Sequence, residues 1–228
     1  MRRVYSSLAV ALMLMPGVMA AQADEHRTVA GGGIKVAGWM GKVDPGAAGS
    51  VNEASFTMEG KDLHVVTGPA LTYWNPANKA SGNYTVKATF TEPKYMSLNN
   101  HPHPYGIVIG GNDLGTDTGS LLYCTAYGDG TYIVRGFGPA AFAVGGKPPK
   151  ANPAIHKAAG PGQPVTQEIA MSVKGDKVSC AINGTVVATF DKSEVVGPGK
   201  LKSLDGVYGI RFAHNTEAIV SGLSVTKN

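Results

Sequence analysis

The sequence predicts an all-β protein folded as a two-sheet antiparallel sandwich. About a dozen short strand-like runs follow one another along the 228 residues, separated by Gly, Pro, Asn and Asp, and helical periodicity is nearly absent. The clearest strand is 84–91, where buried positions alternate with polar ones and are filled by Tyr84, Val86, Ala88 and Phe90. Short strands joined by frequent turns favour a sandwich over a layered α/β fold.

The stretch from Tyr105 to Phe137 predicts three successive central strands, because YGIVIGG, SLLYCTAY and TYIVRGF are separated by turn residues. Gly128-Asp129-Gly130 is a strong hairpin signal, since Asp and Gly tolerate positive φ. A loop of two or four residues pairs Tyr127 with Tyr132, and likewise Thr125 with Val134 and Tyr123 with Gly136. One face then carries Tyr123, Thr125, Tyr127 and Tyr132, and the core face carries Leu122, Cys124, Ala126, Ile133 and Phe137.

The predicted tyrosine face is an aromatic, hydroxyl-bearing surface of the kind that stacks on a sugar ring and hydrogen-bonds its hydroxyls. The alternative is that the tyrosines fill a sandwich edge with their hydroxyl groups in water. Arg135 falls on the core side by parity. There it requires a position at the mouth of the strand or a buried acidic partner.

The N-terminus predicts a secretory signal peptide. Arg2 and Arg3 precede an apolar run, and Ala21-Gln22-Ala23 offers a cleavage site, with Val18-Met19-Ala20 as the competing site. We therefore expect a signal peptide at 1–23, a flexible segment at 24–33, and a single β-sandwich domain at 34–228 in a secreted or periplasmic protein. No further apolar run is long enough to span a membrane.

One segment of the predicted domain departs from the short-strand pattern. Residues 138–164 are rich in Gly, Pro and Ala, which predicts a long loop. Phe142 and Ile155 give this loop apolar side chains to bury, so we expect an ordered flap beside the tyrosine face.

The charge balance argues against one class of partner, and the two cysteines leave two possible states. The 20 Lys and Arg exceed the 16 Asp and Glu by four, and removing Arg2 and Arg3 halves the excess. No basic cluster with interleaved aromatics occurs, so nucleic acid is not an expected partner. Cys124 and Cys180 lie in strand-like runs and form either a disulfide, which export permits, or two buried free thiols.

Several stretches resemble the framework of the concanavalin A-like lectin/glucanase superfamily. They are Gly38-Trp39, a strand pair ending in Trp74, GNYTVKATF, YGIVIGGND, YCTAYGDGTYIVRGF, VSCAINGTVVATF and GVYGIRFAHNTEAIVSGLSV, and they cover roughly residues 34–225. Within the superfamily, the chain is similar to secreted domains called 3-keto-disaccharide hydrolase (family-16-like) and to laminin-G-like relatives. The resemblance implies a jelly roll whose concave sheet handles carbohydrate.

The sequence departs from the glucanases of this superfamily at their catalytic motif. Laminarinase-type members carry E-x-D-x-x-E on one strand, which supplies the two close carboxylates of retaining hydrolysis. That motif is missing from this chain, and the central strands 106–110, 120–127 and 131–137 contain no carboxylate. Ordinary retaining glycosidase chemistry on this sheet is therefore disfavoured.

The most unusual polar stretch is 99–104, Asn-Asn-His-Pro-His-Pro. In an extended segment His101 and His103 project to the same side, as an acid/base pair or two ligands of a divalent metal require. The alternative is two solvated loop histidines. A third ligand would be His64, His156 or His214. Asn112, Asp113 and Asp117 form either a Ca²⁺ site or a polar turn.

Three function hypotheses follow. The first is a non-catalytic carbohydrate-binding sandwich, with contacts from Tyr123, Tyr127, Tyr132, Tyr105, Trp74, Asn112 and Arg135. The second is a hydrolase or lyase acting on 3-keto or otherwise modified glycosides, in which His101 or His103 is the base or metal ligand and Arg135 or Lys94 steadies an oxyanion. It requires the histidines to share a pocket with the tyrosine face. The third is a structural envelope protein.

Overall fold

The computed structural model describes residues 26–228, so the predicted signal peptide lies outside the described residues. Strands make up 53% of the chain and helix 3%, which confirms the all-β prediction. Within the described residues, no helix is long and apolar enough to cross a membrane.

The described strands follow one another along the chain, interrupted by a short 3-10 helix (Val51–Glu53) between β2 and β3 and by one turn of α-helix between β14 and β15. In chain order they are β1 (Gly33–Ile34), β2 (Met40–Val43), β3 (Ser55–Glu59), β4 (Asp62–Val66), β5 (Leu71–Ala80), β6 (Tyr84–Glu92), β7 (Tyr105–Asn112), β8 (Ser120–Ala126), β9 (Thr131–Phe137), β10 (Ala141–Val144), β11 (Lys150–Ala151), β12 (Val165–Lys174), β13 (Lys177–Ile182), β14 (Thr185–Asp191), α1 (Lys192–Val195), β15 (Gly206–Phe212) and β16 (Glu217–Lys227).

These strands form two sheets packed face to face. Sheet A has the order β1-β3-β4-β16-β6-β12-β13-β14, and sheet B has the order β10-β9-β8-β7-β15-β5-β2, with β11 also paired to β9. Every pairing is antiparallel except that of β1 with β3. The long crossovers between sequence neighbours are those of a jelly roll, in agreement with the predicted fold.

The core lies between the sheets and is tied by contacts that cross it. Phe56 of sheet A stacks on Tyr73 of sheet B at 4.5 Å between ring centroids, and Phe90 stacks on Tyr105 at 5.5 Å. Cys124 of β8 and Cys180 of β13 form a disulfide across the same layer. Of the two alternatives for the cysteines, the structure therefore has the bridge.

The hairpin between β8 and β9 differs from prediction by one residue. The Gly130 amide donates to Tyr127 O, Tyr127 N donates to Thr131 O, and Gly130 has φ +92°. This is a three-residue loop with glycine in the left-handed position. Tyr123 consequently pairs with Arg135, and Ala126 pairs with Tyr132.

The changed register moves four side chains of β9, those of Tyr132, Ile133, Arg135 and Phe137, to the face opposite the predicted one. Tyr132 belongs to the inner core, so its predicted place on the tyrosine face is wrong. Ile133 and Phe137, predicted for the core, lie on the outer face of sheet B, which is the face turned away from sheet A. Arg135 shares that outer face with Tyr123, so it needs no position inside the core. A three-residue loop shifts the pairing by one residue relative to a loop of two or four residues, so each side chain of β9 faces the other way.

The glycine-rich segment 138–164 is more regular than predicted. It contains β10 and β11, which both pair with β9, and it buries Val144 and Ile155 in the inner core. The side chain of Gln167 anchors the later part of the segment. Its Nε2 donates to His156 O at 2.7 Å, and its Oε1 accepts from His156 N at 3.1 Å. The segment reaches the outer face at Gly138 and Pro139 and at the turn between β10 and β11, where Lys147 O accepts a hydrogen bond from Arg135.

Residues 26–33, the described part of the predicted flexible segment, contact the sandwich. Arg27 N donates to Asn215 Oδ1 at 2.8 Å, and Val29 N donates to Glu53 O at 3.0 Å.

We expect replacement of both cysteines, Cys124→Ala with Cys180→Ala, to lower the free energy of unfolding by about 4 kcal/mol. The bridge closes a loop of 56 residues, which restricts the unfolded chain. Urea unfolding of the oxidised wild type and the double variant checks this. Labelling of two thiols in the denatured, unreduced wild type would contradict the bridge.

Candidate functional site

The outer face of sheet B carries a cluster of charged and aromatic side chains around Arg211. This arginine is the penultimate residue of β15 and is only 7% exposed. Its guanidinium carbon lies 4.4 Å from the centroid of the Tyr123 ring and 5.7 Å from that of Phe137. Its Nη2 donates to Asp44 Oδ2. We call Asp44, Tyr123, Tyr127, Arg135 and Arg211 the arginine–tyrosine cluster.

Asp44 reaches Arg211 from the turn after β2. Its amide donates to Ala70 O at 3.0 Å, and its carbonyl accepts from Ala47 N at 3.0 Å, so the turn holds the carboxylate over the sheet. Burial raises the pKa of this carboxyl, and the charge of Arg211 opposes that rise. Asp44 Oδ1 and Arg211 Nε are both buried and have no hydrogen-bond partner within residues 26–228. The pair therefore retains unused acceptor and donor capacity.

The two tyrosines of the cluster are also affected by burial. Burial raises the pKa of Tyr123 and of Tyr127, although nearby arginines act in the opposite direction. Both phenols therefore stay neutral at physiological pH and can donate as well as accept hydrogen bonds.

A pocket of about 470 Å³ opens on this outer face, and we call it the main pocket. Its walls combine Lys42 and Asp44 from β2 and its turn, Thr72 and Trp74 from β5, the 114–119 loop, and the 137–139 corner. The volume is typical of a small-molecule site. Trp74 is only 3% exposed, so the partly exposed Phe137 supplies most of the aromatic surface, while Asp44 supplies an acceptor and Lys42 a donor.

The structure places the predicted contact residues unequally. Trp74 lines the main pocket, and Tyr123, Tyr127 and Arg135 lie in the adjoining cluster. Tyr105 is fully buried against Phe90 and so cannot contact a ligand on the outer face. Tyr132 is also excluded, because it lies on the inner face and donates its hydroxyl to Val187 O at 2.7 Å.

Asn112, Asp113 and Asp117, for which the sequence left either a Ca²⁺ site or a polar turn, each have a separate partner in the structure. Asn112 donates to Gly110 O and to Asp205 O, both at 3.0 Å, and so fastens the end of β7 rather than facing the main pocket. Asp113 pairs with Lys202, and Asp117 lies 3.6 Å from Lys42. Among residues 26–228, no three His, Cys, Asp or Glu side chains are grouped so as to hold a metal ion.

The side chains of His101 and His103 contact each other. His103 Nδ1 donates to His214 O at 2.5 Å, and its Nε2 lies at hydrogen-bond distance from His101 Nε2, 2.7 Å away. Both histidines line a separate cavity of about 10 Å³ beside Glu92, enough for roughly one water molecule. None of its lining residues lines the main pocket. The convergence required by the enzyme hypothesis is therefore missing.

Glu92 is the strongly perturbed acid of that small cavity. Burial raises its pKa to about 7, and the negative charge of Glu217 adds to the rise, while a hydrogen bond from Met96 N opposes it. Its Oε2 has no hydrogen-bond partner within the described residues. Glu92 is therefore protonated in a large fraction of molecules at neutral pH.

Sequence reasoning missed Arg211 and Asp44, the centre of the outer-face cluster. The run GVYGIRF contains a usable signal, because strand alternation puts Arg211 opposite Tyr208, Ile210 and Phe212. No comparable signal marks Asp44. It lies 167 residues from Arg211 and in a turn, so only the folded chain shows the pairing.

Comparison with known proteins supports the fold. No protein-family model matches the sequence, and no curated protein does either. The carbohydrate-binding module CBM66 from Bacillus subtilis is structurally similar, with a TM-score of 0.55, 10% identity, and coverage of 83% of this chain and 96% of that one. A Bacillus subtilis protein of unknown function with a galectin-like fold also has a TM-score of 0.55, with 13% identity and coverage of 83% and 89%.

We expect Arg211→Met to lower the free energy of unfolding by about 3–5 kcal/mol, because it leaves the Asp44 carboxylate buried without its partner. Adding Asp44→Leu to the same chain should restore most of the loss, since no buried charge then remains. Urea unfolding of the wild type, the single variant and the double variant measures both effects. A single-variant loss below about 1 kcal/mol would show that the pair is solvated.

We expect stability to fall as the pH rises through the pKa of Glu92. In the unfolded chain its pKa is near the ordinary 4.5, whereas in the folded protein it is about 7. The folded state holds the proton more tightly, so this stabilisation is complete below about pH 4.5 and is lost by about pH 7. Glu92→Gln should reduce the loss between pH 5 and pH 8 by about 2 kcal/mol, measured by urea unfolding at both values. Identical pH dependence in wild type and variant would refute the raised pKa.

Proposed function

We propose that this chain is a carbohydrate-binding module that holds its ligand in the main pocket. The observation that carries the proposal is the buried, unpartnered Oδ1 of Asp44 in a pocket that is also lined by Trp74 and by the partly exposed ring of Phe137. A carboxylate beside an aromatic ring suits a sugar, which offers hydroxyl donors at its edge and C–H groups on its face.

Each wall of the main pocket has a role in this proposal. A ligand hydroxyl donates to Asp44 Oδ1, which relieves an unsatisfied buried acceptor worth about 1–3 kcal/mol. Arg211 holds that carboxylate in place and is itself held by the Tyr123 ring. Lys42 and Thr72 donate to hydroxyl oxygens, while Trp74 and the apolar side chains of Leu114 and Phe137 cover the sugar face.

Two further features are compatible with this proposal. CBM66, whose fold this chain shares, is named as a carbohydrate-binding module. The predicted signal peptide at 1–23 would carry the protein to the periplasm or outside the cell, where polysaccharides are encountered.

The second candidate is hydrolysis or elimination of 3-keto or otherwise modified glycosides. The observation in its favour is that two carboxylates, Asp44 and Asp117, line the main pocket, and burial raises the pKa of the first. In that case Asp44 would act as the acid, and His101 and His103 would have no part in the reaction, because they line another cavity.

We expect calorimetric titration with soluble oligosaccharides to detect binding that Asp44→Asn and Trp74→Ala each weaken by about tenfold. A hydrogen bond to a charged group is worth about 1.5–3 kcal/mol, and 1.4 kcal/mol corresponds to tenfold. Asp176→Asn, in the turn between β12 and β13, is the matched control and should bind like the wild type.

The same titration separates the alternatives. Cleavage products that disappear in Asp44→Asn would favour the enzyme. No binding of any saccharide by folded wild type, or equal affinity in all four proteins, would overturn the proposal and leave the structural envelope role as the better hypothesis.

A further inference from the structure

A second pocket, of about 580 Å³, opens at the side of the sandwich between the two sheets. It shares no lining residue with the main pocket. We call it the side pocket. Its lining residues are Trp39, Lys61, Asp62, Leu63, Asn78, Thr89, Val220, Ser221, Gly222 and Leu223.

The side pocket forms where both sheets are irregular. Between the pairs Trp74–Gly209 and Lys79–Val207, residues 75–78 of β5 lie opposite a single residue of β15. In sheet A, β16 shifts register against β6 between Ser221 and Ser224, and Gly222 has φ +65°. Bulges of this kind redirect side chains and are frequent beside binding sites. The turn between β3 and β4 supplies the remaining wall with Lys61 and Asp62.

Trp39 is held rigidly in this wall. Its ring packs on Phe56 of the inner core at 5.0 Å between centroids, and the residue remains partly exposed. The ring is thus already ordered, so a ligand that packs on it restricts few additional rotamers.

The polar groups around Trp39 are unused. The side chains of Lys61, Asp62, Asn78, Thr89 and Ser221 make no hydrogen bond or ion pair with any other residue within 26–228. They supply one cation, one anion, an amide and two hydroxyls. Because the charges of Lys61 and Asp62 cancel, the pocket favours a neutral ligand with many hydroxyl groups over an anion.

We propose that the side pocket is a second ligand site that takes a neutral, polyhydroxylated molecule of one or two sugar residues. The ring of Trp39 packs on the C–H face of the ligand, while Asp62 and Asn78 bond its hydroxyls. The site does not depend on the main pocket, because the two are built from different residues.

Tryptophan fluorescence tests this site separately from the main one, because the chain has two tryptophans and each pocket contains one of them. In the Trp74→Phe variant, emission reports on Trp39 alone. We expect titration with methyl glucoside, lactose, cellobiose and sucrose to change this emission. Asp62→Ala or Asn78→Ala, added to the same chain, should weaken the response about five- to tenfold, and Lys79→Ala, an exposed neighbour outside the pocket, should leave it unchanged.

If about 50 mM sugar leaves the Trp39 emission unchanged, the proposal is overturned, because this concentration exceeds the millimolar dissociation constants of weak binding. A response that Asp62→Ala and Asn78→Ala leave unaltered would overturn it as well. Should Trp74→Phe not fold, calorimetry on the otherwise wild-type chain replaces the fluorescence test. There, Asp62→Ala and Asn78→Ala must reduce the measured binding, and unchanged binding counts against the site. Emission from Trp74 in the Trp39→Phe variant reports on the main pocket, so failure of either site is seen separately.

Discussion

The register of the β8–β9 hairpin decides what lies inside the sandwich and what lies on its outer face. The three-residue loop that ends at Gly130 places Tyr132 inward, on the same side as Cys124 of β8, whose disulfide reaches β13. It also places Arg135 outward, on the same face as Tyr123 and Arg211. Side chains alternate along a strand, so a slip of one residue in β9 would move Arg135 into the core without a partner. Core and candidate site therefore depend on the same turn.

This dependence explains which features the sequence could predict. The alternation in β6 and β12 is visible locally, and the sandwich follows from many such strands. The register is not visible in the same way, because Asp129-Gly130 fits loops of two or three residues equally well. The predicted loop of two or four residues wrongly places Tyr132 on the tyrosine face and Ile133 in the core. Trp74 lies on the outer face because side chains alternate along β5 and the neighbouring Tyr73 belongs to the inner core.

The buried ion pair of Asp44 and Arg211 adds little net stability to the fold. Removing two charges from water costs several kcal/mol per ion, and the attraction between them repays this only when their remaining polar atoms are bonded. In this pair Asp44 Oδ1 and Arg211 Nε are unbonded within the described residues. The ring of Tyr123 contributes about 2 kcal/mol as a cation–π partner of this buried arginine. A pair kept at such a cost, on the face where a pocket opens, is better explained by recognition than by folding.

Three other groups suited to proton transfer lie outside the main pocket. Glu92, with a pKa of about 7, His101 and His103 line a cavity that admits about one water molecule, whereas neither the main pocket nor the side pocket, each large enough for a sugar, contains any of them. An acid or base must come within hydrogen-bond reach of the group it serves. The separation of these residues from the main pocket therefore favours binding over catalysis at the outer face. The raised pKa of Glu92 affects the pH dependence of stability instead, because burial favours the protonated carboxyl.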